Sequence, residues 1–265
     1  MLCVNEHRAL SVSNSDEDAL AQVRKAIGAE SRLDLHRYPL HTAYENGVLT
    51  LEGDVEDIAV KKLVLERAAA VAEVTGIVDR LHVTPAQAMG DGEIRDHVRD
   101  ALTGEPVFYE CTIRVRDGER VEPVRQPDRA CGDITITVLD SIVTLDGEVP
   151  SLTHKRLAGV LAWWVPGSRD VVDGLGVEPP EQDHDGEVTD AVRMVLEKDP
   201  LVDAARVRVS ATNYVVTLEG LVPSESEREM AELDAWYVLG VDKVVNRIEE
   251  IGRAPFELQS PVPIS

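Results

Sequence analysis

The chain has 265 residues, 43% of them hydrophobic but only 4% aromatic, which is enough apolar material for folded cores built from small aliphatic side chains. A formal charge of −22 argues against nucleic acid as a partner, because phosphate binding takes clustered Lys and Arg. It also disfavours an anionic bilayer, unless a local basic patch acts within a Debye length of about 8–10 Å.

The odd number of cysteines (three) does not read as a disulfide framework. No run approaches the roughly 18 apolar residues of a membrane span. Residues 1–8 hold no apolar stretch of the kind an export signal needs, and the expected compartment is the cytoplasm.

In chain order, the first predicted element is an amphipathic helix opening at Ser15-Asp16-Glu17, with Ala19, Val23 and Ile27 four apart on one face. A hairpin follows, with Asn46-Gly47 at its turn. Its second strand reads Val48-Leu-Thr-Leu-Glu-Gly53, with Leu49 and Leu51 on the core face. Gly53 is read as ending this strand, where a positive φ or a close backbone approach excludes a Cβ. A helix starts near Ile58. A last strand over 77–83 carries Val78-Asp-Arg-Leu81, 25 residues beyond the glycine.

The same series is written twice more. The second copy has a helix on Asp91, Ile94, Val98 and Leu102, stopped by Pro106. Ile134-Thr-Ile136, Asp140-Ser141 and Ile142-Val-Thr-Leu-Asp-Gly147 form its hairpin. A helix capped by Ser151 follows, with Leu157, Val160 and Trp164 as its buried stripe, then a strand over 171–177 with Val172-Asp-Gly-Leu175.

The third copy runs through Asp185, Val188, Val192 and Leu196 to Pro200, then Val207-Arg-Val209, Asn213-Tyr214 and Val215-Val-Thr-Leu-Glu-Gly220. A helix capped by Ser224, with Met230, Leu233 and Tyr237 as its stripe, leads to a strand over 244–251 with Val245-Asn-Arg-Ile248. The acidic first turns, Asp91-Gly92-Glu93 and Asp185-Gly186-Glu187, supply acceptors for unpaired helix N–H groups.

Copy two also carries an insertion between Pro106 and Ile134. Thr112-Ile-Arg-Val-Arg116, Asp117-Gly118 and Arg120-Val-Glu-Pro-Val124 read as an extra β-hairpin, either a solvated decoration that blocks a sheet edge or a contact to a neighbour. The acidic stretch 179–185 reads as a linker, and residues 253–265, with three prolines, as an extended tail.

The expected fold class is α+β. It comprises three tandem two-layer domains, each α-β-β-α-β with two helices on one face of a three-stranded sheet. Their spans are 15–84, 90–178 with the inserted hairpin near 107–132, and 185–251, followed by the tail 252–265.

The V-T-L-x-G phrase, the helix after it and the closing Val-Val-Asn-Arg-Ile strand together resemble the BON domain, a bacterial module found singly and in tandem. All three copies share the resemblance. It implies a non-catalytic protein associated with membrane, lipid or envelope binding and with osmotic stress; ion binding is proposed for some members, and most relatives are exported.

No residue set points to catalysis. The seven histidines are scattered, and His36 and His41 flank Pro39 at no recognisable ligand spacing. There is no glycine-rich phosphate loop, serine elbow or Cys-x-x-Cys, so no metal or cofactor is expected. Glu52, Asp146 and Glu219 recur at one position but alternate with core leucines, as solvated strand residues do. Asp183-His-Asp-Gly-Glu187 has a faint calcium-loop look, yet lacks the remaining ligands and reads better as a helix cap. Cys111 and Cys131 bracket the insertion, and separate packed thiols are the expectation in a reducing compartment.

The candidate interaction surface is aromatic and basic. Trp163 and Trp236 fall on the flank of the second helix, about 100° from the stripe holding Trp164 and Tyr237, while copy one has Ala69-Ala70 there. Packing between repeats and binding of a partner both account for such a flank. Arg24, Arg99 and Arg193 share a place on the first helix, and Lys61-Lys62 and Lys155-Arg156 open the second. Surface ion pairs explain them, with an anionic headgroup site as the alternative if at least two of these positions, Lys155, Arg156, Arg99 and Arg193 among them, converge. The partner classes left open are a protein, a membrane surface or a second copy of the chain.

Overall fold

The computed structural model describes residues 14–251. The opening residues 1–13, including Cys3, and the proline-bearing tail lie outside them. The chain divides into two compact units, one through Ala88 and one from Met89.

The first unit contains α1 (Asn14–Gly28), β1 (His41–Glu45), β2 (Val48–Val55), α2 (Ile58–Ala69) and β3 (Gly76–Val83). β1 and β2 are an antiparallel hairpin; β2 and β3 run parallel, joined by α2, as a parallel pair requires a crossover. Val23 and Ile27 of α1, Val60, Val64 and Ala68 of α2, and Leu49, Leu51 and Leu81 of the sheet form its core. This is one α-β-β-α-β repeat.

The second unit contains two more repeats. Repeat two has α3 (Asp91–Gly104), β4 (Cys111–Asp117), β5 (Arg120–Arg125), β6 (Gly132–Leu139), β7 (Ile142–Val149), α4 (Leu152–Trp163) and β8 (Asp170–Val177). The insertion, β4 and β5, does not stand apart from the sheet. β4 pairs parallel to β6 and extends the sheet to five strands, in the order β5-β4-β6-β7-β8. Cys111, Ile113 and the preceding Phe108 are buried in the repeat's core, which anchors the insertion; β5 is the exposed edge. Repeat three has α5 (Asp185–Lys198), β9 (Val207–Thr212), β10 (Val215–Val222), α6 (Glu225–Tyr237) and β11 (Lys243–Glu250), again with three strands.

Two local expectations change. The repeated glycines do not end their strands, since β2, β7 and β10 continue two residues further and keep their parallel partners. Each glycine sits where the backbone passes close to another. A Cβ on Gly147, at φ +132°, would lie 2.2 Å from the Asp133 carbonyl oxygen, and one on Gly220 would lie 2.0 Å from that of Arg206.

The first-turn aspartates serve the hairpins more than their own helices. Asp91 accepts from the backbone N–H of Asp140 and Ser141, at 3.0 and 2.8 Å, and Asp185 accepts from Asn213 and Tyr214, both at 2.9 Å. All four turn residues have positive φ, the conformation of a type I′ hairpin turn, which costs energy for Ser141 and Tyr214. The carboxylate offsets that cost and ties helix to hairpin. In return, the Tyr214 and Asn213 N–H groups hold the Asp185 carboxyl below the usual carboxylate range. The cap of α5 is His184, whose Nδ1 accepts from Gly186 and Glu187.

Candidate functional site

The candidate surface lies mainly on α4 and α6, and these helices meet. α4 carries seven consecutive buried residues, Arg156 to Ala162, because one side covers β7 and β8 while the other packs on α5 and α6 of repeat three. A helix buried nearly all round has no free stripe.

Aromatic side chains fill this junction. Trp163 stacks on Tyr237 with ring centroids 5.7 Å apart and planes 22° apart. The Trp164 indole N–H donates to Asp234 Oδ1 at 2.9 Å. Trp236 is 1% exposed, whereas Met230, Leu233 and Tyr237 are half-buried. The expected stripe of α6 is therefore displaced: Ala231, Asp234, Ala235 and Trp236 are the covered positions. The physical reason is that α6 is covered from two directions, by β10 and β11 and by α4 and α5, so its burial does not follow a single stripe.

The basic residues also have partners. Arg156 is 2% exposed rather than on the surface. Its Nη2 donates to both oxygens of Asp183, at 2.6 and 2.7 Å, and its Nε donates to the Leu239 carbonyl at 2.9 Å. Asp183 belongs to the presumed linker, which is folded onto α4; Glu181 there accepts from the Leu152 N–H at 2.8 Å, at the helix N-terminus. One arginine thus joins repeat two, the connecting segment and the α6–β11 loop of repeat three. Lys198 of α5 reaches Glu105 behind α3 at 2.9 Å, and Met194 packs on the core of repeat two.

Lys155 donates to the Leu175 carbonyl at 2.7 Å, inside its own repeat. Beside it, burial raises the Asp173 carboxyl to about 6, with Lys155 pulling the other way. In repeat one the equivalent lysine, Lys61, is buried and pairs with Asp79 at 3.1 Å. Arg99 bonds Asp96 and Asp100 on α3, Arg193 bonds Asp190 on α5, and Arg24 donates to Thr42. None of these pairs links Arg99 and Arg193 to the Arg156 cluster.

Sequence reasoning missed Asp234, which is fully buried. Burial first, and then the charge of Asp199, push its carboxyl up to about 8. No donor among the described residues serves Asp234 Oδ2. A neutral Asp234 carboxyl can share a proton with the Asp199 side chain while its Oδ1 receives the Trp164 indole. The signal was an acid between Ala231 and Ala235 on an otherwise polar helix. The repeated carboxylates Glu52 and Glu219 face Arg80 and Arg247 on the open sheet side, at 3.7 and 3.6 Å; Asp146 has Gly174 opposite. Among the described residues no group of three or more His, Cys, Asp or Glu side chains is arranged to hold a metal ion. No helix among them is long and apolar enough to cross a membrane.

Three like-built repeats, two of them joined through their helix flanks, define a tandem-repeat α+β protein. The BON domain family model matches residues 15–85, 124–179 and 184–252, and the chain belongs to that family. The second match begins at Val124, past most of the insertion. Osmotically-inducible protein Y of Escherichia coli (strain K12) is 31% identical over 123 residues, or 44% of this chain, and the chain spans 61% of that relative's length. Two solved structures of CdsD, a structural protein of the Type III secretion system of Chlamydia trachomatis, are also similar. The first, its C-terminal domain, is 16% identical, covers 88% of this chain and 98% of its own, with a TM-score of 0.23. The second is 15% identical, covers 88% and 92%, and has the same TM-score.

Proposed function

We propose that this is a non-catalytic, stress-related tandem BON protein that recognises a phospholipid-bearing surface. The observation that carries this reading is the threefold family match, joined by the likeness to an osmotically inducible protein. The site chemistry agrees with it, because the polar groups of the repeat junction are engaged with one another instead of converging on an open pocket.

The inserted hairpin is the best place for such contact. Residues 111–131 carry five arginines against four acids, in a chain whose net charge is −22. Val121, Val124 and Tyr109 are exposed beside them. A segment with one net positive charge and exposed apolar side chains can act on anionic headgroups at short range despite the global charge. Co-sedimentation with phosphatidylcholine liposomes, with and without phosphatidylglycerol, tests this at low salt. Pelleting only with the anionic vesicles, weakened by Arg116→Glu with Arg129→Glu, is expected. Absence of pelleting with both compositions contradicts the lipid reading.

A second reading is a structural scaffold without a ligand. It is favoured by the burial of Trp236 and by the engagement of Trp163 and Arg156 with repeat three, which withdraws these binding candidates from the surface. Sedimentation equilibrium decides it: a defined oligomer together with no liposome binding supports the scaffold.

A further inference from the structure

We propose that Cys111 and Cys131 form a reversible redox couple whose disulfide fastens the two ends of the inserted hairpin together. Cys111 opens β4 and is fully buried; Cys131, exposed, immediately precedes β6. Their sulfur atoms lie 3.7 Å apart. The backbone already holds them side by side, since the Cys131 N–H donates to the Glu110 carbonyl at 2.8 Å and Cys111 stands opposite Gly132 in the parallel β4–β6 pair. Contraction of the sulfur separation to about 2.05 Å is a side-chain adjustment, with no strand exchange needed.

The pair is also asymmetric in access. Cys131 is exposed and lines a surface hollow of about 320 Å³ together with Thr112, Arg114, Asp133 and Glu148, which is the side open to a small oxidant. Cys111 sits in the core, where burial and then the neighbouring Cys131 raise its thiol to about 12. Cys131 is therefore the thiol that meets the oxidant and Cys111 the one that resolves it.

With hydrogen peroxide, the Cys131 thiolate attacks one oxygen, the O–O bond breaks, and hydroxide leaves to form water with the thiol proton. The Cys131 sulfenic acid that results is attacked by the Cys111 sulfur. The S–S bond forms, the S–O bond breaks, and the Cys111 proton departs with the hydroxyl as a second water. Two thiols are oxidised by two electrons in all, and one peroxide is reduced.

The bond closes the loop that contains β4, β5 and the approach to β6. Constraining such a loop in the unfolded chain raises the melting temperature of the second unit by roughly 6–12 °C. The edge hairpin loses its local opening, and its amides exchange more slowly.

The test uses the full chain with Cys3→Ser, so that the pair is the only thiol source. After treatment with hydrogen peroxide, intact mass should fall by two hydrogens and non-reducing peptide mapping should link Cys111 to Cys131. Dithiothreitol should reverse both changes, and the melting rise should be absent in Cys131→Ala. In Cys111→Ala the reaction should stop at a sulfenic acid that dimedone traps on Cys131. A chain oxidised to sulfinate on Cys131 with Cys111 still a thiol overturns the proposal, as do intermolecular dimers formed in place of the internal link. Exposed Cys131 tolerates Ala without loss of the fold, so that variant remains informative even if Cys111→Ala does not fold.

Discussion

Replacing Arg156 with Ala should loosen the second unit while leaving the first unaffected. The guanidinium makes three charge-assisted hydrogen bonds, two to Asp183 and one to the Leu239 carbonyl, from a position 2% exposed. Breaking a buried pair by deleting one partner typically costs about 3–5 kcal/mol. Asp183 is 33% exposed on its side chain, so water recovers part of its solvation and the lower end, about 3 kcal/mol, applies. For a unit of this size that lowers its melting temperature by roughly 6–12 °C. Differential scanning calorimetry of the full chain reads this as a shift of one transition only. A double-mutant cycle with Asp183→Ala should return a coupling above about 1 kcal/mol, since the residues touch. A shift below about 2 °C, or additive mutations, would refute the claim that Arg156 is the tie between repeats.

Asp234 predicts a pH dependence of definite sign. Its carboxyl titrates near 8 in the fold, above its unfolded value of 3.8, so the fold favours the neutral form. Its contribution is complete below about pH 4 and is lost as pH rises to about 8, by at most about 1.4 kcal/mol per unit. Asp234→Asn, which keeps an acceptor for the Trp164 indole, should remove that slope; urea melts of both chains from pH 5 to 9 check it, and parallel slopes would count against it. Trp163→Ala should cost about 1–2 kcal/mol through loss of the Tyr237 stack, seen as an earlier urea midpoint for the second unit. Gly147→Ala should cost about 2–3 kcal/mol, because its methyl meets the Asp133 carbonyl at a φ that side chains avoid; an unchanged melting curve would show that the strand can relax there.

The repeat was legible because its signals are local. Leucine alternation in the strands, helix residues four apart and turn pairs such as Asn46-Gly47 each describe one element at a time. Gly147 and Gly220 were legible as constrained positions. Their role inside continuing strands was not, since it depends on where the Asp133 and Arg206 carbonyls pass. The same limit explains Asp91 and Asp185: an acid in a first helical turn looks like a cap, and only the folded hairpin brings the Ser141 and Tyr214 N–H groups to it.

The junction was hardest to read. Trp163 was placed on a flank by helix geometry, but whether a flank meets solvent or another repeat is decided by packing between repeats, for which periodicity carries no term. Arg156 looked like a member of a surface ion pair because the chain offers so many acids. Its burial follows from α4 being covered on both sides, and Gly159 with the small residues Ala158 and Ala162 were the overlooked signs of close approach. Asp183 and Glu181 looked like linker solubility, and became structural only once the segment folded back on α4.

Amide-nitrogen relaxation of the labelled full chain bears on the core of this account most directly. If the Trp163, Trp164, Arg156 and Asp234 contacts hold repeats two and three as one body, amides in residues 91–177 and 185–250 share one rotational correlation time and one diffusion tensor. Separate, shorter correlation times for the two segments would mean that these side chains are not a junction, and would return them to the surface as free binding residues.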